Sequence, residues 1–102
     1  LIYVVHKDRT DDPRYAKFMA AIEAATIFRT NHPDEAWNAF IEAYPNLNDE
    51  LNKRAWADTL PRFAKRPAAL DEGRYQRFAE FMAENDLISK VVRVDTYAVE
   101  IR

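Results

Sequence analysis

Between a strand-like run at its start and another at its end, this chain carries its apolar residues at helical spacing. Leu1-Ile2-Tyr3-Val4-Val5 is a continuous apolar run whose last three residues favour strand, the pattern of a strand covered on both faces. Tyr97, Val99 and Ile101 alternate with Ala98 and Glu100, which reads as a half-buried strand or an extended arm. Two short strands neither satisfy their own edges nor bury two faces. The expected fold is therefore mostly α with one or two short β-strands. It is expected to be a single partial domain over residues 1–102, packed against an upstream portion of a longer polypeptide.

The residues between the two runs punctuate four helices. Asp12-Pro13 opens the first, with Asp as cap and Pro at the first position. Tyr15, Phe18, Met19, Ile22 and Ala25 or Thr26 form its core stripe. The second follows Asn31-His32, with Pro33, Asp34 and Glu35 in its first turn. Trp37, Phe40, Ile41 and Tyr44 make its buried face, and Pro45 ends it. Asn48 is the expected cap of the third helix, whose face is Leu51, Ala55, Trp56, Thr59, Leu60 and Phe63. Pro61 kinks or terminates it, because proline lacks the N–H and clashes with the preceding turn. After a connector holding Lys65, Arg66 and Pro67, Asp71 caps a fourth helix with the stripe Tyr75, Phe78, Ala79 and Met82. Asn85-Asp86 stops it, and Leu87-Ile88 are expected to fold back as an apolar anchor.

Composition removes several classes of function. The 102 residues are 48% apolar and 31% charged, enough for one small core and unlike a disordered chain. The net charge is -2, with both signs interspersed, so no basic stripe points to a nucleic-acid partner. The absence of cysteine excludes disulfides and thiolate chemistry within this segment, and the single glycine, Gly73, excludes a Gly-rich phosphate loop. No apolar run approaches membrane-spanning length.

Most carboxylates fall at helix starts, where capping explains them. Asp8, Asp11 and Asp12 lack the alternating ligands and turn glycine of a calcium loop, so no metal is expected. No nucleophile, base and orienting group can be assembled, and neither a catalytic residue nor a cofactor is expected. Four side chains are candidates for ligand binding: His6, Trp56, Thr59 and Arg62. His6 lies just past the carboxyl end of the first strand-like run, where ligands of α/β sheets gather. His32, beside Pro33, reads as an exposed or cap-adjacent residue. Trp56, with Thr59 close by and Pro61 following, is either a tryptophan packed at a hinge or a platform for a flat heterocycle. Arg62, near Lys65-Arg66, is either solvated surface or an anion-binding group.

The stretches Asn31-His32-Pro33-Asp34-Glu35-Ala36-Trp37, Tyr44-Pro45-Asn46-Leu47-Asn48-Asp49-Glu50-Leu51 and Trp56-Ala57-Asp58-Thr59-Leu60-Pro61-Arg62-Phe63 carry a resemblance. With Tyr75-Gln76-Arg77-Phe78-Ala79-Glu80-Phe81-Met82 and Val94-Asp95-Thr96-Tyr97-Ala98-Val99-Glu100, the chain resembles the C-terminal third of bacterial substrate-binding proteins of the thiamine-pyrimidine-precursor type, within the NMT1/THI5-like family. The same order of elements recurs in binding proteins for sulfonates, nitrate and taurine. The resemblance implies a periplasmic binding protein type II α/β fold, of which this chain is the C-terminal helical part of the first lobe. It implies a periplasmic protein that closes on a small aminopyrimidine and delivers it to an ABC permease, with much of the ligand contact supplied from upstream. Fungal members are synthases that use pyridoxal phosphate, which keeps a synthase as the alternative. An independent helical interaction module is the third. Expressed alone, the chain is expected to form a homodimer through its uncovered apolar surface.

Overall fold

Each helix begins at a proline or just after a short acidic side chain, as local chemistry requires. The computed structural model describes residues 2–101, with α1 over Pro13–Asn31, α2 over Pro33–Ala43, α3 over Glu50–Thr59 and α4 over Glu72–Glu84. Single 3₁₀ turns lie at Lys7–Arg9, Pro45–Leu47, Leu60–Arg62 and Val94–Thr96. The mostly α expectation therefore holds. The chain divides into two compact units, residues 17–67 and residues 1–16 with 68–102.

In the unit of residues 17–67, Met19, Thr26 and Trp37 are buried and Ile22, Phe40, Ile41 and Trp56 half-buried. These residues lie on the faces that the three- and four-residue spacing marks out. The hydroxyls of Thr26 and Thr30 donate to the carbonyls of Ile22 and Thr26, each at 2.8 Å, so these polar side chains are satisfied within α1. After α2, the Pro45–Leu47 turn draws the Asn48 N–H to the Pro45 carbonyl at 3.2 Å. That turn moves the next cap by one residue. Asp49, not Asn48, caps α3, its carboxylate accepting from the Asn52 N–H at 2.7 Å. Pro61 ends α3 as expected, and the chain tightens into the Leu60–Arg62 turn.

In the other unit, Asp12 holds the start of α1. Its carboxylate accepts from the Arg14 N–H at 2.9 Å and from the Arg14 guanidinium at 2.6 to 3.1 Å. These bonds lower its pKa from the ordinary 3.8 to about 2. An unfolded chain thus binds a proton that the folded one refuses, between about pH 4 and pH 2. The stabilisation is complete above that window and lost as pH falls through it. Asp12→Asn should flatten the acid limb of a stability–pH curve followed by circular dichroism. Because the Arg14 side chain is 81% exposed, added salt should flatten it too. An acid limb unchanged by Asp12→Asn would assign it to other carboxylates.

α4 starts at Asp71, whose carboxylate accepts from the Arg74 N–H at 2.9 Å, and buries Ala79 with Tyr75 and Met82 half-covered. It stops where expected. Asp86 adopts φ 57°, the Leu87 N–H reaches the Met82 carbonyl at 2.8 Å, and the Asp86 N–H reaches that of Ala83 at 3.2 Å. This is a Schellman stop with an aspartate where glycine is usual. Asp86→Gly removes the left-handed strain and a negative charge at a helix C-terminus, and should stabilise by about 0.5–1 kcal/mol in denaturant melts. Destabilisation would mean that the Asp86 side chain contributes more than its backbone costs. Of the expected Leu87-Ile88 anchor, Ile88 is half-buried whereas Leu87 stays 66% exposed.

The two strand-like runs form no strand among the described residues. Leu1 lies outside them. Ile2, Tyr3, Val4 and Val5 are exposed and enter no ladder, since a strand exists only through the backbone pairs that a second segment supplies. The tail is wound by local bonds instead. The N–H groups of Tyr97 and Ala98 both reach the Val94 carbonyl, at 3.1 and 2.9 Å, which takes Tyr97 to φ -137°, ψ -8°, outside the strand region.

Candidate functional site

Three of the four sequence candidates meet at one place, the C-terminal end of α3. A helix end leaves carbonyls without partners, and here arginines supply the donors. The Trp56 carbonyl accepts the Leu60 N–H, the Thr59 hydroxyl at 3.2 Å and Arg29 Nη2 at 3.1 Å. Arg29 Nη2 also reaches Thr59 Oγ1 at 3.0 Å. The exposed Arg62 folds back so that its Nη1 donates to the Asp58 carbonyl. Two cations at a helix C-terminus also complement its dipole.

Arg29 is the residue that sequence reasoning missed. Its guanidinium carbon lies over the Trp56 ring at 4.0 Å from the centroid and over the Phe63 ring at 4.1 Å. It makes no ion pair with a carboxylate among the described residues. Burial pushes its pKa down from the ordinary arginine value. Arg29 Nε and Trp56 Nε1 are buried and find no hydrogen-bond partner among the described residues. A signal was present: residues 19, 22, 26 and 29 continue one helical stripe, so a charge stands where the pattern asks for an apolar residue.

Trp56 is enclosed further by α2. Its ring centroid lies 5.1 Å from Phe40 and 5.4 Å from Trp37, the latter edge-on at 68°. Phe40 in turn contacts Tyr44 at 5.4 Å. The geometry packs Trp56 against α2 and lays the guanidinium of the chain's own Arg29 over its ring.

His6 belongs to the other unit, where it begins the Lys7–Arg9 turn. Its Nδ1 accepts from the Asp8 N–H at 3.4 Å and also lies 3.4 Å from the Asp8 carboxylate. One nitrogen cannot accept and donate at once: Nδ1 makes the first contact as a bare acceptor and the second only when it carries a hydrogen. His32 is exposed, stacks on Phe28 at 5.2 Å and lies 3.3 Å from Glu35. A shallow groove of roughly 390 Å³ in the unit containing α4 is lined by Glu72, Gly73, Gln76, Arg93, Val94 and Asp95. None of the sequence candidates lines it, and its arginine is paired with Asp95.

Over 99% of its length the chain is 47% identical to a protein of Haemophilus influenzae named "Putative thiamine biosynthesis protein". The chain spans 32% of the length of that relative. No family model matches the chain, and no solved structure matches it. Among the described residues, no group of three histidine or acidic side chains is placed to hold a metal, and no helix is long and apolar enough to cross a membrane.

Proposed function

We propose that this chain is the C-terminal helical part of the first lobe of a two-lobed, periplasmic substrate-binding protein. That protein captures a thiamine-pyrimidine precursor, an aminopyrimidine, for an ABC permease. The observation that carries the reading is the 47% identity, along nearly the whole chain, to a relative whose name places it in thiamine biosynthesis. The motif resemblance carried by the His-Pro-Asp-Glu, Thr-Leu-Pro-Arg-Phe and Asp-Thr-Tyr-Ala-Val-Glu stretches shares the thiamine theme and supplies the binding-protein reading. In this reading Trp56, Thr59 and Arg62, within residues 17–67, belong to a face of that unit turned toward ligand.

A precursor synthase fits the relative's name as well. Its chemistry needs a lysine that forms an aldimine, held in an enclosed site. Lys7, Lys17, Lys53, Lys65 and Lys90 are all exposed within this segment.

Calorimetry separates these readings. The full-length polypeptide carrying this segment should bind a 4-aminopyrimidine at about micromolar affinity or tighter, as expected of an enclosing cleft. The 102-residue chain alone should bind it far more weakly. Micromolar binding by the short chain would contradict the placement of most ligand contacts elsewhere. Absorbance of a pyridoxal aldimine in the full-length protein would replace transport with synthesis.

A further inference from the structure

We infer that the space filled by the Arg29 guanidinium is a receptor for a flat, delocalised, N–H-donating cation, with Arg29 as its tethered occupant. Three features of the seat define that shape. The faces of Trp56 and Phe63, each about 4 Å from the guanidinium carbon, select a thin cation that stacks on rings. The Trp56 carbonyl and the Thr59 hydroxyl, 3.1 and 3.0 Å from Nη2, require N–H donors at its rim. No carboxylate among the described residues pairs with Arg29, so the charge is held by ring faces and carbonyl dipoles and matches a spread cation better than a compact ammonium.

The occupant fits imperfectly. Arg29 Nε–H is buried with its donor unmet among the described residues, which weakens the hold of this particular cation. The seat also has a side open to solvent: Phe63 and Thr59 are exposed, and Phe63 follows the Leu60–Arg62 turn rather than lying inside a helix. An amidinium has the same planar N–C–N unit as the guanidinium. A ring-protonated 4-aminopyrimidine is a cyclic amidinium, which identifies the ligand class for the proposed function; this identification rests on that reading, whereas the seat itself does not. Arg29 then keeps the seat closed until a better-matched cation displaces it.

Emptying the seat tests this. In the 102-residue chain bearing Arg29→Ala, low-millimolar methylguanidinium should raise the thermal midpoint and change tryptophan fluorescence saturably. Unsubstituted chain should bind it at least about tenfold more weakly, because a tethered guanidinium competes at an effective concentration on the order of millimolar. Tetramethylammonium, round and without N–H, should not substitute, and adding Thr59→Val should weaken methylguanidinium binding severalfold. Failure of methylguanidinium overturns the inference. Equal action by tetramethylammonium, or binding no weaker to the unsubstituted chain, does so as well. Tighter binding of inorganic phosphate to the unsubstituted chain than to Arg29→Ala would do so too, by making Arg29 an anion ligand instead. Should Arg29→Ala not fold, Arg29→Met, whose unbranched stem preserves the packing of α1, takes its place in the same titrations, with the same results expected and the same results overturning the inference. If methylguanidinium binds and 4-aminopyrimidine does not, the seat stands and the pyrimidine assignment falls. If neither binds, the seat falls and the proposed function is left to its own calorimetric test.

Discussion

Trp37→Ala is expected to destabilise the chain by about 3–4 kcal/mol, the usual cost of deleting a large aromatic side chain from a packed interior. Trp37 is 9% exposed, and its ring meets Trp56 at 5.4 Å and Phe40 at 5.9 Å. It is the largest of the few buried apolar residues, which otherwise are Met19, Ala79 and Val94 among the described residues. A protein of this size has a total stability of roughly 5–15 kcal/mol, so one such loss takes a large share of it. The measurement is the urea midpoint by far-UV circular dichroism, with Tyr44→Ala as the comparison. Tyr44 is 54% exposed and its ring lies 5.4 Å from that of Phe40, so its loss should cost less than about 1 kcal/mol. Similar costs for the two would mean that the α2–α3 aromatic contacts are not what holds this unit together.

The helix ends were legible because their causes are local. Asp12 with Pro13, Pro33, and Asp71 each sit within three residues of the N–H groups they satisfy or spare, and the structure uses them as the sequence suggests. The third cap was misplaced by one residue because Asn48 is held by the Pro45–Leu47 turn, whose hydrogen bonds the pattern of side chains does not announce. The strand expectation failed for a different reason. Composition marks a segment as suited to a strand, but pairing is non-local, and residues 2–5 and 97–101 find no ladder here. The stripes were right in phase and wrong in depth. Phe78 and Leu51 lie on predicted buried faces yet are 58% and 76% exposed. Of the site, Trp56, Thr59 and Arg62 were visible from the proline that ends their helix. Arg29 showed only as a charge on an apolar stripe, because the groups that give it meaning lie 27 to 34 residues further along the chain.

Arg29→Ala is the second large effect expected, at about 2–3 kcal/mol. The side chain contributes a charge-assisted hydrogen bond to a helix-terminal carbonyl, a second one to Thr59, and two ring contacts, each on the order of 1 kcal/mol when partly desolvated. Against these stand the desolvation of the guanidinium and the unmet Nε donor, which is why the net falls well below the gross sum. Arg29→Lys separates charge from shape. An ammonium keeps the positive charge near the C-terminal end of α3 but loses the plane that lies over Trp56 and Phe63. If shape dominates, lysine should recover less than half of the alanine loss; if charge dominates, it should recover most of it. A double-mutant cycle of Arg29→Ala with Phe63→Leu isolates one ring contact and should give a coupling of about 0.5–1 kcal/mol. Chemical denaturation in urea is the suitable assay, since guanidinium chloride would itself present a planar cation to the emptied seat. A coupling indistinguishable from zero, with lysine fully restoring stability, would reduce Arg29 to a helix-terminal charge and leave Trp56 and Phe63 as ordinary packing neighbours.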